Sequence, residues 1–141
     1  MMHLARTPIV LFALFLGFAP LGVFAGKKEE SAAASPYPGY MAVEPPLIIN
    51  LANPRKARYL KINIQFYIET QSDADLVTLH MPRLRDRMIT LLGGRDGEQI
   101  MSGEARDQLR IELLENLRKL MIEQTGRPVI SAIYFTDFIV Q

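Results

Sequence analysis

The sequence predicts one small α+β domain, an antiparallel or mixed sheet packed on two or three helices, after an amino-terminal export or membrane segment. Three observations predict it. Arg58–Thr70 alternates strictly: Leu60, Ile62, Ile64, Phe66 and Ile68 point one way, and Tyr59, Lys61, Asn63, Gln65, Tyr67 and Glu69 the other. That period of two is a long strand with one buried and one wet face. Between Ser72 and Gln124 the apolar residues instead recur every three or four positions, the helical period. The closing stretch Pro128–Gln141 is again β-branched and aromatic, the composition of a pleated, buried segment. A chain of 141 residues has room for one such domain and an appendage.

The appendage comes first. Pro8–Ala25 carries no charge, and Arg6 stands before it with the terminal amine. As a helix it would run about 27 Å, close to the hydrocarbon thickness of a bilayer. Gly17, Pro20 and Gly22 interrupt it, and Val23-Phe24-Ala25 has the small residues of a signal-peptidase site before Gly26. Residues 1–25 are thus a signal peptide or a membrane anchor. Residues 26–46, with Ser31-Ala-Ala-Ala-Ser35, Pro36-Tyr-Pro-Gly-Tyr40 and Glu44-Pro-Pro46, form a Pro/Ala-rich linker. The domain proper is expected over 47–141.

Leu47–Leu51 is a short strand, turned by Asn53-Pro54 into the long strand Arg58–Thr70. Ser72 is placed to cap the next segment, with Asp73 and Asp75 favourably set in its first turn. Leu76, Val77, Leu79, Met81, Leu84, Met88, Ile89, Leu91 and Leu92 supply its apolar period, and Pro82 is expected to kink or split it. Gly93 and Gly94 end this helix, one of them free to take the left-handed cap. Ser102 caps a second helix through Gln124, with Leu109, Leu113, Leu117, Leu120 and Met121 as its buried stripe.

In the closing strand, strict alternation puts Ile130, Ala132, Tyr134, Phe138 and Val140 on one face and Val129, Ile133, Phe135 and Ile139 on the other. A strand apolar on both faces needs a layer on each side or a contact with another subunit. Thr136 and Asp137 interrupt it.

Chemistry is poorly supplied. There is no Cys, which removes thiolate catalysis and cysteine-ligated zinc. His3 and His80 are the two histidines and cannot form a multi-histidine metal centre. No paired carboxylates stand on a motif that would shift one pKa, and Ser102 and Ser131 have no visible base. A net charge of +1 argues against a nucleic-acid partner. No cofactor is expected and the chain reads as a non-enzyme. Candidate partner contacts are Arg83, Arg85 and Arg87, which on a helix spread over more than one face, together with Tyr134 and Asp137 in the closing strand. A solvated helix surface is the competing reading of the three arginines.

Several segments resemble the FliL family of flagellar basal-body-associated proteins. They are Leu47–Leu51 with Arg58-Tyr-Leu-Lys-Ile-Asn-Ile, the block Pro82-Arg-Leu-Arg-Asp-Arg-Met-Ile-Thr-Leu-Leu, Gly103-Glu-Ala-Arg-Asp-Gln-Leu-Arg-Ile-Glu-Leu-Leu, and the terminal Ile133-Tyr-Phe-Thr-Asp-Phe-Ile-Val-Gln141. The resemblance covers residues 46–141. It implies a stomatin-like α+β domain in the periplasm, held at the inner membrane or soluble after signal cleavage. It further implies a ring of identical subunits around the stator proteins of the flagellar motor. A monomeric periplasmic module for a small ligand or lipid is the alternative from a different class.

Overall fold

The computed structural model of the chain describes residues 36–53 and 57–141. The predicted signal or anchor at residues 1–25 lies outside the described residues, as does the first part of the linker. Four strands and two helices follow in the order β1 (Gly39–Ala42), β2 (Leu47–Leu51), β3 (Arg58–Ile68), α1 (Gln71–Leu92), α2 (Gly103–Thr125) and β4 (Ala132–Val140). Every strand pairing is antiparallel, and every one is made to β3. The sheet is therefore organised around the one strand whose sequence alternates most cleanly.

β4 occupies one side of β3. The other side is shared: β2 pairs with the first half of β3, from Leu51↔Arg58 to Leu47↔Ile62, and β1 with the second half, from Ala42↔Gln65 to Gly39↔Ile68. β1 and β2 are in effect one lane interrupted at Val43–Pro46, where Val43 still donates its N–H to the Ile64 carbonyl at 2.9 Å. This corrects the linker reading. Gly39–Ala42 is a strand, Val43 is buried, and Tyr37 packs against the core. The prolines that suggested a tether instead bracket a four-residue strand, too short to announce itself by alternation. The Tyr37–Pro38 and Glu44–Pro45 peptide bonds are cis.

Both helices lie on the same face of the sheet. Leu60, Ile62, Ile64, Phe66 and Ile68 of β3 meet Val77, Leu84, Met88 and Leu92 of α1 and Leu109, Leu113, Leu117 and Met121 of α2 in one buried cluster. The alternating face of β3 and the predicted leucine stripe of α2 thus form the core as expected.

Two local expectations give way. Thr70, not Ser72, caps α1: its Oγ1 accepts the Asp73 N–H at 3.1 Å, and Ser72 falls inside the helix. Pro82 does not split α1, which runs unbroken from Gln71 to Leu92. Proline removes the N–H that would bond the carbonyl four residues back. Here Pro82 and Thr78 are both exposed, on the side of α1 away from Val77, Leu84 and Met88, which hold the buried side together. At the helix end the cap Gly93 is extended and Gly94 takes the left-handed backbone, φ 71°. The Ser102 cap of α2 is as predicted, accepting the Ala105 N–H at 3.1 Å, and Gly126 closes the helix in the left-handed conformation, φ 78°.

The closing strand differs most. Pro128–Ser131 is not strand, and Val129 takes φ 46° as the chain turns from α2 into β4. Within β4 the register with β3 slips by one between Asn63 and Ile64, so Thr136 has no partner of its own. Such a bulge adds one residue to one strand and resets which side chains face inward. Phe66, Ile64, Ile62 and Leu60 now stand opposite Ile133, Phe135, Phe138 and Val140, all on the core side. Ala132, Tyr134, Asp137 and Ile139 turn outward. The core-facing set is therefore not the one strict alternation gives, and the outward set keeps Tyr134 and Ile139 beside Asp137; Thr136 is the residue that makes strict alternation misleading.

Candidate interaction surface

The sheet has a second face, and no described element covers it. At one end Tyr40 of β1 sits opposite Tyr67 of β3. Their rings meet edge to face at 5.2 Å, and the Tyr40 ring also meets Tyr134 of β4 at 5.7 Å. Edge-to-face pairs of this kind hold aromatic side chains in fixed positions rather than leaving them to wave in solvent. In the middle, Asn63 donates through Nδ2 to an Asp137 carboxylate oxygen at 2.6 Å across the β3–β4 pair. Toward the other end Lys61 lies between Ile48 of β2 and Ile139 of β4. Beyond it the Tyr59 hydroxyl donates to the Gln141 side-chain oxygen.

Tyr40 is 62% exposed, Ile48 69%, Tyr134 44% and Ile139 43%. One exposed isoleucine would be unremarkable, but these share a sheet face with three tyrosines whose rings pack together, and with few charges. A contiguous, partly apolar surface on a firm scaffold is the usual form of a docking site.

The predicted contact residues divide between two layers. Tyr134 and Asp137 are on this open face. Arg83, Arg85 and Arg87 are on α1, across the core from it. Arg85 donates through Nη1 to the Pro45 carbonyl at 2.7 Å, tying α1 to the β1–β2 junction. Arg83 and Arg87, four residues apart, share a different side of the helix, and neither forms an ion pair with a described residue. The five residues therefore make no single site. Tyr40, Tyr67 and Ile48 were missed as members of the surface. Tyr67 and Tyr59 were legible as the wet side of β3, but Tyr40 fell in the stretch read as linker.

Elsewhere the polar groups serve the fold. Asp73, almost fully buried, is paired with Arg127 at 2.6 Å, which joins the start of α1 to the end of α2. Arg95 reaches Glu112 at 2.6 Å and also donates to the Leu91 carbonyl, pinning the α1–α2 connection. Among the described residues no three acidic or histidine side chains gather into a metal-holding group. Nor is any described helix long and apolar enough to cross a membrane.

The fold and this surface define a small two-layer α+β module, one sheet face filled by helices and the other presented outward. Its family is clear from comparison: the model of the flagellar basal body-associated protein FliL matches residues 40–141. The flagellar protein FliL of Aquifex aeolicus (strain VF5) is 34% identical over 109 residues, which is 77% of this chain and 65% of that relative. The chain belongs to the FliL family. The family match begins at Tyr40, within β1, in keeping with the sheet rather than with the expected boundary at residue 47.

Proposed function

We propose that this chain is a non-enzymatic structural component of the bacterial flagellar basal body that supports the stator units of the motor. The FliL family match over residues 40–141 carries the reading. The domain would stand in the periplasm, on an inner-membrane anchor or free after signal cleavage, and would assemble with copies of itself around the stators. The open sheet face supports a role in contact rather than catalysis: its tyrosines are held in place by one another and by the strand register, ready for a partner without further ordering.

Deleting the gene and scoring swimming in media of rising viscosity tests the proposal. Motility should fail progressively with load and be restored by the wild-type chain. A chain carrying Tyr40→Asp and Tyr134→Asp, both exposed positions, should fold and fail to restore it. Unchanged motility of the deletion strain, with no localisation of the protein at the motor, would overturn the reading. A solution mass of one subunit under all conditions would count against a ring and favour a monomeric ligand-binding module.

A further inference from the structure

The two edges of the sheet are unlike each other. On the β1–β2 side the lane is broken, with Pro45 and Pro46 at the break. Proline cannot donate to a ladder, and prolines on an edge are a common guard against strand addition. On the other side β4 runs from Ala132 to Val140 without proline, and no described strand pairs with its outer edge. Tyr59 and Gln141 exchange both backbone hydrogen bonds, at 2.8 and 2.9 Å. In an antiparallel ladder the bonded pairs alternate, so the N–H and C=O groups of Val140 and Phe138 point away from β3, toward the free edge.

Beside that edge runs a groove of about 500 Å³, walled on one side by α2 and on the other by Tyr134, Phe135, Thr136 and Phe138. Arg106 and Arg110, four residues apart on α2, line it. The Arg106 guanidinium lies over the Phe138 ring at 5.5 Å and donates to the Met101 carbonyl at 2.9 Å, with no carboxylate partner among the described residues. Among the described residues Arg110 pairs only with Asp107, at 3.8 Å and itself largely exposed. Two arginines thus line the groove beside an unpaired edge, one without an ion-pair partner among the described residues and one loosely paired.

We propose that this groove binds an extended acidic segment of a partner chain, which adds to the free edge of β4 at Phe138 and Val140 and sets its carboxylates against Arg106 and Arg110. Strand addition supplies backbone hydrogen bonds, and the side-chain pocket beside the edge supplies selectivity. The bulge at Thr136 confines regular pairing to the carboxyl-terminal part of β4 and so limits the length of segment that fits. Guanidinium groups suit the role because they offer paired donors to a carboxylate. The site adjoins the open sheet face, with Tyr134 bordering both, but it rests on the β4 edge and the two arginines rather than on what that face contacts.

The test uses the full chain in detergent and a fluorescent peptide alternating glutamate with valine and threonine, with a second peptide carrying lysine for glutamate. The acidic peptide should bind, and the lysine peptide should not. Binding should weaken about tenfold or more between about 0.05 M and about 0.5 M salt. Arg106→Gln and Arg110→Glu should each weaken it by about tenfold, roughly 1.4 kcal/mol, with the circular dichroism spectrum unchanged. N-methylation of alternate peptide residues should abolish binding in one parity and spare it in the other. No binding by the wild-type chain, equal binding of both peptides, or equal sensitivity of the two parities would overturn the proposal. So would concentration-dependent dimerisation through β4 that the acidic peptide does not compete away.

Discussion

Replacing Phe138 and Ile139 separately by alanine tests the register of the closing strand. Strict alternation from Ile133 puts Ile139 in the core and Phe138 outside; the bulge at Thr136 does the reverse. In the structure Phe138 packs on the core, stacks with Phe135 at 5.7 Å between ring centres, and carries the Arg106 guanidinium. A fully buried Phe→Ala change costs about 3–5 kcal/mol. Phe138 is half-buried, so about 2 kcal/mol is expected, with about 0.5 kcal/mol more from the lost guanidinium contact. Ile139 lies on the open face at 43% exposure, and its truncation should cost about 0.5 kcal/mol or less. For a domain of this size 1 kcal/mol moves Tm by about 4–8 °C, so the two variants should melt about 8 °C or more apart, Phe138→Ala the lower. Deleting Thr136 sharpens the test, since it removes the bulge yet keeps Phe135 and Phe138 on the core side; that variant should still melt cooperatively. If Ile139→Ala costs as much as Phe138→Ala, the inward set assigned to β4 is wrong.

Other outcomes follow from the core and the caps. Leu113→Arg should unfold the domain, because Leu113 is fully buried and an unpaired buried charge costs several kcal/mol against a total of about 5–15; a near-wild-type urea midpoint would show the wrong helix face. Gly126→Ala should lower stability by about 1 kcal/mol, since Gly126 holds φ 78°, whereas Gly126→Asn should lose less; equal melting of the three chains would refute the left-handed cap. Arg127→Ala removes the partner of Asp73, but Arg127 is half exposed, so the loss should stay near about 1 kcal/mol and shrink in high salt, as read from denaturant midpoints.

Much of this fold can be read before any coordinate is seen, because its main elements repeat their signal. β3 states the strand period over eleven residues, and α2 repeats leucine at helical spacing through Met121. Burial follows directly from such periods, since the side that alternates or recurs as apolar must leave water. Short or exceptional features were not legible. β1 has four residues between prolines, too few to show a period, so the sequence there looked like a tether. Pro82 looked disruptive because its exposure, and that of Thr78, depends on which way α1 faces the sheet.

The sequence by itself determined an α+β class, the buried face of β3, the leucine stripe of α2, the cap at Ser102 and the resemblance to one family. Only tertiary structure decided where the closing strand faces. Its alternation is ambiguous because a bulge adds a residue without leaving a local mark, and the choice between the two phases is made by the side chains of β3 across the pair. Tertiary structure also decided that both helices share one face, which leaves Tyr40, Tyr67 and Tyr134 together on the other. Those three tyrosines are separated in sequence and meet because β1, β3 and β4 lie side by side, a proximity set by strand pairing rather than by any local pattern.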